Sequence, residues 1–186
     1  MKKITRQLTT LIARYFHKDC QEANKRCVSM SIEVRPTRRE ELEAVNELRR
    51  MVNDVHVQGR PDIFRPGFNE ALQRHVYDEF DDENTEILVA LTGSEICGFA
   101  TVQYIRRPES PYCLARDFYR VEEFGVAPAH RRKGVATALV EYMKADAKAR
   151  GFARIELDVW TFNEGALAFY EAAGFTTYRR YMEINL

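Results

Sequence analysis

The chain has no apolar run approaching the roughly 20 residues that a helical membrane span requires, so no span is expected. Cysteine is scarce: Cys20, Cys27, Cys97 and Cys113 in 186 residues, with no Cys-x-x-Cys spacing. That excludes a disulfide scaffold, and it leaves His17, Cys20 and Cys27 without a second ligand pair, so no metal is expected. Free thiols fit a reducing compartment, and the protein is read as cytoplasmic. Net charge is also missing, with 28 Lys+Arg against 28 Asp+Glu. A balanced chain is no general polyanion binder, and no nucleic-acid partner is expected. There is no internal repeat and no low-complexity segment. Neither Gly-Lys-Ser/Thr nor G-x-G-x-x-G occurs, so the two commonest nucleotide fingerprints are excluded as well.

What remains is an ordinary core-forming composition, 45% apolar, enough for one domain of this length. Charge is unevenly placed. Residues 1–29 hold seven basic and two acidic residues, net +5, which leaves −5 on the rest. Ile4, Leu8, Leu11, Ile12, Tyr15 and Phe16 fall at helical spacing, so residues 1–29 read as a basic amphipathic extension with its helix over 3–17. An organelle-targeting segment and an upstream addition to a start at Met30 are the alternatives. The main domain is expected over 30–186.

From Ser31 the pattern is regular. SIEVRP reads as a strand. Thr37-x-x-Glu40 reads as a capping box, followed by a helix whose apolar face is Leu42, Val45, Leu48, Val52 and Val55. A loop rich in proline and glycine, HVQGRPDIFRPG, precedes a shorter helix over 70–77. A hairpin over 86–105 turns at TGSE, and another strand ends at Val126. Then follow a helix over 134–150, a strand over 154–160, a helix over 164–173 ended by Gly174, and a last strand near 176–184. Hairpins followed by a βαβ crossover imply an α/β fold with a mixed sheet of about six or seven strands and helices on both faces.

The stretch EEFGVAPAHRRKGVATAL carries the chemistry. Unpaired amides at a helix start form an anion site, here with Arg131, Arg132 and Lys133 adding charge and Gly134 allowing close approach. Gly125 inside a strand marks a bulge or a place where a ligand meets the backbone. If the strand splays there, its free N–H and C=O groups can pair with an amide-rich arm. A ligand with a pyrophosphate and such an arm is coenzyme A.

Arg131-Arg-Lys-Gly134-Val-Ala136 resembles the [Q/R]-x-x-G-x-[G/A] signature of the GCN5-related N-acetyltransferase (GNAT) superfamily. FNEGALAFYEAAGF is similar to a second family segment at Asn163, Ala166, Phe169, Tyr170, Gly174 and Phe175. The order of elements agrees from about Ser31 onward, and the chain looks like a bacterial-type small-amine acetyltransferase. The resemblance implies a sheet splayed between the fourth and fifth strands and acetyl-coenzyme A as donor. The pantetheine arm would lie along Phe124, Gly125 and Val126. The diphosphate would meet the loop and helix start at Arg131, Arg132, Lys133, Gly134, Val135, Ala136 and Thr137. Asn163, Phe169 and Tyr170 would complete the donor site.

If Thr161-x-x-Glu164 caps the last helix, Asn163 keeps its side chain free in the first turn. Tyr170, seven residues on, shares its azimuth within about 20° and lies about 10 Å away along the axis. Tyr170 is the candidate acid for the leaving thiolate, and the Val126 N–H is the candidate donor to the thioester oxygen. Aminolysis also needs a base for the acceptor ammonium. Glu122 or Glu123 fills that role or anchors the amine; alternation places them on opposite faces, and the pair resembles the Glu-Asp of diamine acetyltransferases. The family's acceptor region corresponds here to His56, Arg60, Asp62 and Phe64, with Tyr112 and Arg116 as further candidates. Asp62 and the Glu pair lean toward a cationic acceptor. A small-molecule amine is the leading substrate class. A protein or peptide amine and a non-catalytic acyl-coenzyme A module are the competing readings, and a homodimer through the last strand is possible.

Overall fold

The computed structural model describes residues 31–186. The expectations for residues 1–29 fall outside the described residues. Five strands form one sheet in chain order: β1 (Ile32–Pro36), β2 (Thr85–Thr92), β3 (Glu95–Arg107), β4 (Arg116–Val126) and β5 (Ile155–Leu157). The first four pair antiparallel and β5 joins β4 in parallel. Four helices cover it: α1 (Leu42–Gly59), α2 (Glu70–Asp81), α3 (Val135–Ala149) and α4 (Glu164–Ala172).

Helices lie on both faces, and the side-chain alternation shows why. Along β2, Ile87, Val89 and Leu91 pack with Leu42, Val45, Leu48 and Val76 of α1 and α2. Leu88 and Ala90 point the other way, to Val135, Leu139, Val140 and Met143 of α3. A strand buried on both faces reads as an unbroken apolar run, as ILVAL does. Gly98 brings the start of α3 close to β3: a Cβ there would stand 2.8 Å from Val135 Cγ1.

The start of α1 differs from the expected box. Glu41, not Glu40, closes it, accepting from the Arg38 N–H at 2.8 Å. The Arg35 guanidinium also grips Glu41, at 2.8 and 2.6 Å, and chiefly this contact holds the carboxyl at about 2. On the helix face itself Val55 is exposed, while Arg49, seven residues after Leu42, is 3% exposed.

The sheet has fewer strands than expected. The strand expected over 154–160 pairs only across 155–157. Residues 176–184 join no ladder: Tyr181, Met182 and Ile184 find no face to bury them, and the segment is tied by side chains instead. Tyr178 donates to Glu156 at 2.8 Å, and Arg60 to Glu183 at 3.0 Å. Of the cysteines, Cys97 is buried in β3 and Cys113 is exposed. No helix among the described residues is long and apolar enough to cross a membrane.

Candidate active site at the β4–β5 splay

The parallel ladder ends where Val121 faces Leu157, so β4 from Glu122 to Val126 has no partner on its β5 side. This is the splay between fourth and fifth strands. Which backbone groups face it follows from one bond. The Ala127 N–H donates to Cys97 O of β3 at 2.9 Å, and alternation therefore turns the N–H and C=O of Val126 and Phe124 toward the gap. The Val126 carbonyl receives Arg131 Nε at 3.3 Å, while its N–H stays free to meet a ligand.

From Arg132 on, the loop after β4 turns its backbone amides away from the other described carbonyls. Arg132 (φ 61°) and Gly134 (φ 88°) both adopt left-handed backbone, a conformation that costs a non-glycine residue about 1–2 kcal/mol. Such turns form concavities lined by amides. The amides of residues 132–137 donate to no backbone carbonyl among the described residues; the first such bond is Ala138 N–H to Gly134 O. Arg131, Arg132, Lys133 and Gly134 are exposed, Ala136 and Thr137 lie on the first turn of α3, and Val135 is buried as its anchor.

Gly125 is not a bulge, one of its two expected readings. The bulge lies between Val121 and Glu123, not at Gly125, which pairs regularly with Phe99. A Cβ at Gly125 would stand 2.6 Å from the Phe99 ring and 2.8 Å from Val52, so its bareness lets α1 pack on the sheet. The displaced bulge also corrects the Glu pair. Val121 and Phe124 both pack in the α3 core, so Glu122 and Glu123 fall together on the α1 face. Glu122 pairs with Arg120, itself on that face, at 2.6 Å. Glu123 receives Arg49 Nε and Nη2 at 2.6 and 2.8 Å.

Asn163 is itself the α4 cap, its Oδ1 accepting from Ala166 N–H at 3.2 Å, so Thr161 does not cap and only the Asn163 amide NH₂ remains to meet a ligand. Seven residues on, Tyr170 is 9% exposed, with ring centroids 6.0 Å from Phe124 and 5.5 Å from Phe169. Burial pushes its phenol up to about 12, so it stays protonated at neutral pH. Its hydroxyl has no hydrogen-bond partner among the described residues.

On the α1 face, the acceptor candidates come together. His56 stacks on Phe64 (centroids 5.0 Å) and meets the edge of Phe162 (6.3 Å), and Phe64 meets Trp160 edge-on (5.4 Å). Burial lowers the His56 pKa, with Glu123 acting in opposition, which favours the neutral imidazole. Arg60 lies over Trp160 and binds Asp62 (2.7 Å) and Glu183 (2.9 Å). Trp160 and Phe162 are not among the residues singled out from sequence; Trp160, expected at the end of a strand over 154–160, instead follows β5 by three residues in the loop before α4. Tyr112 is 96% exposed in the loop before β4. Arg116 binds Glu156 at 2.8 Å, ten residues before Val126 and so about 33 Å away along the strand. Neither joins the group. Asp62, Glu122 and Glu123 each hold an arginine, but Arg60 is shared with Glu183 and Arg120 with Asp158, so the group keeps an excess of negative charge. A separate cleft of about 390 Å³, lined by Lys144, Arg154, Glu156, Phe175 and Tyr178, opens at the outer edge of β5 and contains none of these residues.

Comparison with known proteins gives the family and the fold. Residues 54–175 match the acetyltransferase (GNAT) family, and the chain belongs to that family. The BH1408 protein of Bacillus halodurans is similar in structure, with a TM-score of 0.79 and 26% identity over 83% of this chain and 99% of that one. An aminoglycoside N-acetyltransferase, AAC(6')-Iy, solved with the bisubstrate analogue CoA-S-monomethyl-acetylneamine, shares the fold at a TM-score of 0.66 and 18% identity, over 84% of this chain and 98% of that one. A stretch of 73 residues is 30% identical to the mouse (Mus musculus) probable N-acetyltransferase family 8 member 5. It covers 39% of this chain and 32% of that protein, so the chain spans about a third of the curated relative it matches.

Proposed function

We propose that the protein is an N-acetyltransferase that moves the acetyl group of acetyl-coenzyme A directly to a primary amine of a small molecule. The unpaired edge of β4 beside the amide-lined start of α3 carries this reading. The pantetheine amides pair with Phe124 and Val126, and the diphosphate sits on the amides of 132–137. The amine attacks the thioester carbonyl, and the Val126 N–H donates to the developing oxyanion, a contribution of roughly 3–4 kcal/mol for a preorganised donor. Tyr170, held neutral by burial, gives its proton to the leaving thiolate and regains one from the substrate nitrogen, which sheds its second N–H proton as the amide forms. Glu122 or Glu123 anchors the acceptor ammonium or takes its proton through water.

The aromatic wall of His56, Phe64, Trp160 and Phe162, closed by the Arg60–Glu183 contact, favours a small acceptor over a protein or peptide amine. The solved relative bound to an aminoglycoside analogue puts aminoglycosides among the first amines to try. Thiol release from acetyl-coenzyme A, screened with polyamines, aminoglycosides, amino acids and peptides, tests the reading. Tyr170→Phe is expected to lower kcat about a hundredfold while the donor Kd changes less than about twofold. Donor binding without thiol release for every amine would replace the enzyme with an acyl-coenzyme A module.

A further inference from the structure

Among the buried polar atoms without a hydrogen-bond partner, Glu79 Oε2 and Thr101 Oγ1 lie in the layer between the first two helices and the sheet. Their residues are 8% and 0% exposed. Thr101 faces this layer because its neighbours Ala100 and Val102 pack in the α3 core, and its ladder partner is Glu123. Glu79 lies on the buried stripe of α2, three residues after the core residue Val76. A buried carboxylate without full partners is costly, and the usual relief is to hold a proton. Burial first, then the Glu123 charge, raise the Glu79 pKa to about 7; Arg49 opposes and Glu122 adds to the rise. The other oxygen, Oε1, stands 3.5 Å from Nε2 of His75 one turn earlier, and the His75 side chain is 54% exposed. One carboxyl thus has an oxygen in the layer of the Glu pair and another beside a solvent-facing imidazole.

We infer that Glu79 and His75 form the proton exit of the acceptor site, a role that rests on the acetyltransferase reading above. The acceptor ammonium loses an N–H bond, and its freed lone pair attacks the thioester. The proton crosses by way of Glu122 or Glu123 and bridging water to form an O–H bond on Glu79. Glu79 passes it to His75 Nε2, and His75 releases it to bulk water, restoring both groups. The charges that set this transfer are Arg49 from α1, Glu122 and Glu123 from β4, and His75 from α2. The Thr101 hydroxyl of β3 is a neutral hydrogen-bonding station. A carboxyl that titrates near the working pH suits repeated loading and unloading.

Two variants of the full chain test this, measured with whichever amine supports thiol release. Glu79→Gln keeps the shape but cannot carry a proton. It should lower kcat at least about tenfold near neutral pH, move the acid limb of the pH–rate profile, and leave the acceptor KM within about threefold. His75→Gln, at the surface, should lower kcat less, and added imidazole should restore the rate by taking the proton directly. A Glu79→Gln enzyme with wild-type kcat and pH profile overturns the inference. So does a His75→Gln enzyme slowed but indifferent to imidazole, which decides the matter even if the Glu79 variant fails to fold. Absence of thiol release by the wild-type chain with every amine defeats the acetyltransferase reading itself, and the proton exit with it.

Discussion

The two sides of the splay are made of different material. On the donor side, from Phe124 to Thr137, the groups offered to a ligand are backbone amides fixed by strand alternation and by left-handed turns at Arg132 and Gly134. On the acceptor side they are side chains held by one another: Arg49 on Glu123, Arg120 on Glu122, Arg60 on Asp62 and Glu183. A backbone site tolerates most changes of side chain, whereas a site of paired side chains is disturbed when a buried member such as Arg49 is lost.

The sharpest break in this comparison is Arg49→Ala. It strands Glu123 and unties Leu72 O and Asn46, which Arg49 also reaches, and should cost about 3–5 kcal/mol in denaturant unfolding. A loss under 1 kcal/mol would mean that the acceptor side does not depend on its ion pairs. Next comes Gly134→Glu, which forces a side chain into left-handed backbone and sets a carboxylate beside the diphosphate. Calorimetry should show donor affinity about a hundredfold weaker, near 2.7 kcal/mol, and the left-handed strain should lower the melting temperature by several degrees, on the order of 2–8 °C. Unaltered affinity would put the diphosphate elsewhere.

The smallest effect is a pH slope in stability. The Glu79 pKa rises on folding from 4.5 to about 7. Its stabilisation is therefore complete below about 4.5 and lost as pH rises through about 7. Wild-type unfolding free energy should fall by something of the order of 1–3 kcal/mol across that window, and Glu79→Gln should lack this part of the slope. Parallel curves for the two proteins would show that Glu79 is ordinary in its titration.

How much of this was legible beforehand divides along the same line. The start of α3 and the α4 segment are local patterns, so RRKG and the seven-residue spacing from Asn163 to Tyr170 could be read directly. The bulge could not, because it is set by how β4 registers on β3, and a one-residue displacement moves Glu122 to the face of Glu123. Asn163 was read as free because Thr161 also fits a cap, and local sequence does not choose between them. Arg49 lies in plain view as a charged residue on an apolar helix stripe, but its partner is 74 residues away, and Glu79 falls beyond the helix expected over 70–77, which runs on to Asp81. The missing last strand has a similar cause: residues 176–184 alternate acceptably, yet the structure gives them no ladder partner.

Hydrogen exchange with and without saturating acetyl-coenzyme A tests the central assignment most directly. Slowed exchange at the amides of Phe124, Val126 and residues 132–137 is the predicted result. Protection confined to the cleft at the outer edge of β5, or none at all, would contradict it.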